Sequence, residues 1–169
     1  MSLNKYTNIF LDRDGVINEV IFRKDTVSSP RFIDEFKFRK DFLSFAKNVD
    51  KTKKFFVVTN QPDVKRKLLR ENHLKEMHKK LMDILDFEEI FVCMHDDDDN
   101  CKCRKPKPGM ILDAISKYNL FHEECIMIGD SVKDLKAANA AGIDAFLLDT
   151  NYNKKVDYSY KIQSLISII

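Results

Sequence analysis

Phe10-Leu11-Asp12-Arg13-Asp14-Gly15-Val16 is an apolar run that ends in two carboxylates two positions apart, followed by a glycine that permits a sharp exit. The run Asn8 to Leu11 is short and β-prone, which is how a buried strand reads. Open α/β sheets bind their ligands just beyond the carboxyl ends of their strands. Asp12 and Asp14 therefore stand where chemistry is done. One carboxylate there can attack phosphorus to give an aspartyl-phosphate. A second can protonate the leaving oxygen and later deprotonate the attacking water. A strand that merely ends in a polar turn also produces Asp-x-Asp, so the rest of the chain decides between the two.

The same pattern recurs outward from that stretch. Lys54 to Val58, Glu89 to Val92, Glu124 to Ile128 and Ala145 to Leu148 read as further buried strands. Between them, Phe42, Phe45, Ala46 and Val49 mark one helix, and Leu74, Met77, Leu81, Ile84 and Leu85 a longer one. Pro108 opens a helix carrying Ile111, Ala114 and Ile115, and Asp130 to Ala141 reads as a helix closed by Gly142. Tyr158 to Ile169 is expected to form a terminal helix. The alternation predicts an α/β fold, a Rossmann-like and mostly parallel sheet with helices on both faces. At 169 residues there is no room for a large second domain, so residues 1–169 are expected to be a single domain without a large cap.

Composition narrows the function classes. Hydrophobic residues at 44% and charged ones at 33% fit a folded, water-soluble chain rather than a disordered one. A net charge of +2 gives no reason to expect a nucleic-acid surface. No apolar stretch approaches 20 residues and no leader-like segment opens the chain, so a cytoplasmic monomer with no membrane partner is expected.

Two more strand ends and one turn carry reactive groups. Val57-Val58-Thr59-Asn60-Gln61 offers a hydroxyl and amides suited to phosphate oxygens. Arg104-Lys105-Pro106-Lys107-Pro108-Gly109 puts cations before a stiff turn and a helix N-terminus, both favourable to anions. There Lys105 would hold a transferring phosphoryl group and Arg104 would present a planar fork to substrate oxygens. Ile128-Gly129-Asp130-Ser131-Val132-Lys133-Asp134 again sets acids after an apolar run. Mg²⁺ prefers oxygen ligands, so Asp12, Asp130 and the backbone carbonyl of Asp14 make a sensible site. Asp134 reads either as a support for that site or as a first-turn helix acid.

Cys93-x-His95 followed by Cys101-x-Cys103 supplies three thiolates and an imidazole, the tetrahedral set zinc prefers. With all four positions filled by protein, such a zinc ion is structural and pins the loop that delivers Arg104 and Lys105. Asp96 to Asp99 inside that loop read as a solvated hairpin tip. Cys125 reads as core, and His73, His78 and His122 as surface residues.

Together the ordered set Asp-x-Asp-Gly-Val, Thr-Asn, Lys-Pro and Gly-Asp-x-x-x-Asp resembles the haloacid dehalogenase superfamily of phosphohydrolases, over about Phe10 to Asp134. The resemblance implies Asp12 as nucleophile, Asp14 as acid/base, Thr59 and Lys105 as phosphoryl-binding groups and Asp130 as a magnesium ligand. Asn60, Gln61 and Arg104, by their own positions, are expected to touch the substrate. The knuckle running into Cys103-Arg104-Lys105-Pro106 is similar to two branches, the heptose 1,7-bisphosphate phosphatases and the histidinol-phosphate phosphatases. Lys107-Pro108-Gly109-Met110 and Asn60-Gln61-Pro62-Asp63 resemble the heptose branch; the knuckle spacing resembles the other. Pro62-Asp63-Val64-Lys65-Arg66-Lys67 departs from the small residue, arginine and glycine usual in heptose-type enzymes. A phosphorylated sugar, first a heptose bisphosphate, is thus the expected substrate, ahead of histidinol phosphate and of a 3′-phosphorylated polynucleotide. A zinc-stabilised interaction module without activity is the reading from another class, and the presence of every catalytic motif residue argues against it.

Overall fold

Side chains alternate across a strand, and in the computed structural model, which describes residues 1–169, β1 (Asn8–Leu11) is buried on both faces. Ile9 and Leu11 enter one core and Phe10 the other. The first core is completed by Phe55 and Val57 of β4 (Lys54–Asn60), Phe42 and Phe45 of α1 (Lys40–Asn48) and Leu74, Met77 and Leu81 of α3 (Glu71–Met82). On the opposite face Phe56 and Val58 pack against α4 (Gly109–Tyr118) and α5 (Val132–Ala141). Each large apolar side chain buried this way contributes about 1.5–3 kcal/mol.

The remaining strands are β2 (Ile21–Arg23), β3 (Thr26–Ser28), β5 (Glu89–Cys93), β6 (Cys125–Gly129), β7 (Asp144–Leu148) and β8 (Lys161–Ile162). A short helix, α2 (Pro62–Lys65), follows β4. The main sheet runs β5-β4-β1-β6-β7-β8 with every pair parallel, while β2 and β3 form a separate hairpin. That hairpin and a 3-10 turn (Ile33–Glu35) are the elements between β1 and α1, in place of a cap domain. The strand order reverses between β1 and β6, and such a switch point is where doubly wound sheets open a crevice for ligands. Register aligns the ends: Leu11 pairs with Val57 on one side and Ile128 on the other. Asp12, Thr59 and Asp130 therefore leave the sheet side by side. No helix is long and apolar enough to cross a membrane.

The five expected strands are present, each within two residues of its expected ends. The terminal segment differs. Tyr158 to Ile169 is not a helix: Lys161–Ile162 adds β8 to the exposed edge of β7, and Leu165–Ile168 makes a 3-10 turn packed against α1. Leu165 and Ile168 are buried in the first core. Leu165→Ala is expected to lower unfolding free energy by about 2–5 kcal/mol in a chemical denaturation measurement. A loss below about 0.5 kcal/mol, the range of a surface change, would show that the segment does not dock.

Candidate active site

Asp12 leaves β1 with its backbone N–H donating to the Ile128 carbonyl (3.0 Å), which fixes where its side chain emerges. The Lys105 ammonium lies 2.9 Å from Asp12 Oδ1 and 2.6 Å from Asp134 Oδ1, and it also donates to the Val58 carbonyl (2.8 Å). All three of its N–H groups are thereby engaged. Burial alone would lower the Lys105 pKa, but the two carboxylates hold it above the ordinary lysine value. Asp12 is pushed up to about 7 by burial, with Lys105 working against the rise. The backbone of Lys105 is clamped as well. Asn60 receives its N–H at Oδ1 and donates Nδ2 to its carbonyl, both at 3.0 Å.

Asp134 is wholly buried at the start of α5, where its carboxylate accepts from the Ser131 N–H (3.0 Å) and hydroxyl (2.6 Å). It is the first-turn helix acid that its position suggested, and it also pairs with Lys105. Asp130 sits one step before that cap. Its backbone carbonyl accepts from Asn153 Nδ2 (2.7 Å) and its carboxylate from the Tyr152 hydroxyl. Burial, then repulsion from Asp12 and Asp134, raises Asp130 well above the usual carboxylate range. Gly15, at φ +88°, leaves room here: a Cβ would run into the Asp130 carboxylate and the Tyr152 hydroxyl.

The second acid, Asp14, is held differently. Arg13, fully buried, donates Nη2 to both of its oxygens at 2.9 and 3.0 Å and Nε to Oδ1 at 3.2 Å. Asn18 donates to Oδ1 (2.9 Å), and Ser29 (2.9 Å) and Gln61 (2.7 Å) donate to Oδ2. Burial works to raise its pKa, yet Arg13 and the hydrogen bonds from Asn18 and Gln61 hold it below the ordinary value. His78 faces the back of Arg13 at 3.3 Å, and burial followed by that guanidinium pushes its imidazole down to about 4. His78 is thus part of the site's support rather than a surface residue.

These groups open onto a cavity of about 540 Å³ lined by Asp12, Asp14, Asn60, Arg104, Lys105 and Asp130. Thr59 and Gln61 do not line it. Thr59 is buried with its hydroxyl accepting from Gln61 (2.8 Å), and Gln61, wholly buried, positions Asp14 instead of reaching toward substrate. Arg13, Asn18, Ser29 and Tyr152 were not singled out in the sequence. A fully buried arginine cannot be told from a surface one by its letter alone.

The donors suit the two metals expected. Asp12, Asp130 and Asp134 bring ligand oxygens within 4.8 Å of one another. Because Asp134 is occupied by Lys105 and Ser131, the free oxygens are Asp12 Oδ2 and Asp130 Oδ1, with the Asp14 carbonyl, which accepts no backbone hydrogen bond. An all-oxygen set suits a hard cation such as Mg²⁺, and a divalent ion would relieve the repulsion that raises Asp130. Cys93, His95, Cys101 and Cys103 also converge within 4.8 Å. Their contacts run from 3.1 to 3.7 Å, while a tetrahedron with Zn–S bonds of about 2.3 Å has edges of about 3.8 Å. All four cysteines are free thiols. The Arg104 N–H points at Cys101 Sγ (3.4 Å), so the knuckle adjoins the loop that delivers Lys105. Asp96 to Asp99 are exposed or half-exposed, as expected of a solvated stretch, but three of them carry ion pairs: Asp96 takes a bidentate pair from Arg66, Asp97 takes Arg104 Nε (2.7 Å) and Asp99 takes Lys65.

Comparison with known proteins agrees with this architecture. The model of the HAD-hydrolase-like family matches residues 102–164. The D-glycero-beta-D-manno-heptose-1,7-bisphosphate 7-phosphatase of Neisseria meningitidis serogroup A is 39% identical over 87% of this chain and 79% of its own length. The D-glycero-alpha-D-manno-heptose-1,7-bisphosphate 7-phosphatase of Photorhabdus laumondii is 33% identical, covering 90% and 87%. The structure of D,D-heptose 1,7-bisphosphate phosphatase from B. bronchiseptica with magnesium and phosphate superposes with a TM-score of 0.81 at 29% identity, over 94% of this chain and 93% of that one. The chain therefore belongs to the haloacid dehalogenase-like phosphatases, which makes it a phosphoric monoester hydrolase.

Cys103→Ser is expected to lower the zinc content measured by atomic absorption and to lower the melting temperature, because metal-binding free energy at such a knuckle is folding free energy. Unchanged zinc stoichiometry would contradict the assignment of the four ligands.

Proposed function

We propose that the enzyme removes the 7-phosphate of D-glycero-D-manno-heptose 1,7-bisphosphate, through an aspartyl-phosphate on Asp12, with residues 1–169 acting as one domain. The observation that carries the reading is Asp12, Lys105 and Asp130 set at the switch point, in a cavity of about 540 Å³ that is also lined by arginines. That volume lies within the roughly 300–1,000 Å³ range of small-molecule sites. The names of the relatives supply the sugar.

In the first half-reaction an oxygen of Asp12 attacks phosphorus and the bond from phosphorus to the sugar oxygen breaks. Asp14, entering as the carboxylic acid, gives its proton to that oxygen. In the second, a water gives a proton to the Asp14 carboxylate and attacks phosphorus; the bond to Asp12 breaks, releasing phosphate and restoring both residues. Asp14 lines the cavity but its cradle of Arg13, Asn18 and Gln61 favours the anion. That cradle suits the base half of its role. Donating a proton requires the carboxyl to turn from these partners toward the substrate, where losing them raises its pKa. Lys105 neutralises Asp12 in the resting site and then faces the incoming phosphoryl oxygens. Mg²⁺, held by Asp12, Asp130 and the Asp14 carbonyl, supplies further neutralisation of phosphoryl charge when bound. Zinc held by Cys93, His95, Cys101 and Cys103 would be structural, with all four ligands supplied by protein, and would hold Arg104 and Lys105 in place.

Phosphate release with magnesium from heptose 1,7-bisphosphate, histidinol phosphate and a 3′-phosphorylated oligonucleotide tests the reading. A kcat/KM at least tenfold higher on the heptose bisphosphate is expected. A preference for either of the other two would replace the substrate while leaving the chemistry.

A further inference from the structure

Three arginines line the cavity beyond the reacting groups: Arg31, Arg66 and Arg104. Their guanidinium groups are not equally available. Arg66 is occupied, with Nε and Nη2 on Asp96 and Nη1 near Asp63 (3.4 Å). Arg104 places Nε on Asp97 and Nη1 on the His95 carbonyl. Arg31 donates only Nε, to Asp63 Oδ2 at 2.7 Å, and neither of its terminal nitrogens has a protein partner. Its backbone is fixed as well: the N–H donates to Glu35 (2.7 Å) and the carbonyl faces His73 Nδ1 (3.3 Å).

The place of this arginine relative to Asp14 follows from the chain. Ser29 and Gln61 both donate to Asp14 Oδ2. Two residues further along each segment, Arg31 and Asp63 meet each other. Two extended residues span at most about 7 Å, so the Arg31–Asp63 pair lies just beyond the acid that faces the leaving oxygen. Asp63 is buried, only 6% exposed, and a buried carboxylate demands its cation. It therefore fixes the guanidinium at Nε and leaves Nη1 and Nη2 unpaired on a side chain that lines the cavity. That edge matches the two oxygens of a phosphate.

We infer that Arg31, positioned by Asp63, is the specificity-determining residue that grips the second phosphate of a bisphosphate substrate on the leaving-group side of the site. The inference rests on the reading that the substrate carries an anion at each end. A monoester without a second anion has nothing to offer this guanidinium, so Arg31 sorts bisphosphates from monophosphates. Asp63 falls within the segment where this chain departs from the usual heptose-type pattern.

The test compares kcat/KM for heptose 1,7-bisphosphate and for p-nitrophenyl phosphate, with magnesium, in the native enzyme and in Arg31→Ala, Arg31→Lys and Asp63→Asn. Loss of a charge-assisted pair predicts that Arg31→Ala lowers the ratio of the two values about 10- to 100-fold, mostly through KM for the bisphosphate. Arg31→Lys, which keeps the charge without the fork, is expected to fall between. Asp63→Asn should lower the ratio in the same direction by loosening the arginine. A ratio within twofold of native in both Arg31 variants would overturn the inference while the native preference for the bisphosphate, and with it the proposed function, stands. A purely structural role would depress both substrates in parallel and leave the ratio at the native value. A native enzyme with no preference for the bisphosphate would overturn both.

Discussion

The Lys105 ammonium ties three parts of the fold at one point: Asp12 beyond β1, the Val58 carbonyl in β4 and Asp134 in α5. A lysine 3% exposed between two carboxylates is tolerable only because each charge has its counterpart and every N–H an acceptor. Removing it would leave two buried carboxylates facing Asp130. The pair's effect is therefore on arrangement as much as on stability. It holds Asp12 where it can be ionised, and it fixes α5 so that Asp130 emerges beside it.

Much of the surrounding structure serves to deliver that one ammonium. Asn60 binds both backbone groups of Lys105, so the end of β4 dictates its position from one side. From the other, the knuckle of Cys93, His95, Cys101 and Cys103 closes the loop, and Asp96, Asp97 and Asp99 pair with Arg66, Arg104 and Lys65. Asp14 stands apart from this cluster in a cradle of its own. Two carboxylates two residues apart thus receive opposite treatment: burial pushes Asp12 up, while Arg13 and its companions hold Asp14 down.

The sheet was legible because strands buried on both faces read as continuous apolar runs. Asp12 and Asp130 were legible because each follows such a run, and Lys105 because it precedes a proline turn into a helix. The terminal segment misled for a specific reason. Ile162, Leu165 and Ile168 recur every third residue, a spacing shared by an amphipathic helix and by a short strand leading into a 3-10 turn. The β2–β3 hairpin was hidden because its turn is Lys24-Asp25, both left-handed, without the asparagine–glycine pair that usually announces one. The Asp14 cradle is drawn from Arg13, Asn18, Ser29 and Gln61, and no spacing in the chain brings those residues together. Gln61 illustrates the limit: its place after a strand suggested contact with substrate, whereas burial turns it toward Asp14 and Thr59.

The central claim is that Asp12, with Lys105 and a magnesium ion, accepts the phosphoryl group. Fluorine NMR of the protein with magnesium and beryllium fluoride, a mimic of a phosphoryl group on a carboxylate, tests it most directly. The account predicts bound fluorine resonances in the native protein that require magnesium and vanish in Asp12→Asn with the fold retained. Bound resonances that persist unchanged in Asp12→Asn would contradict it.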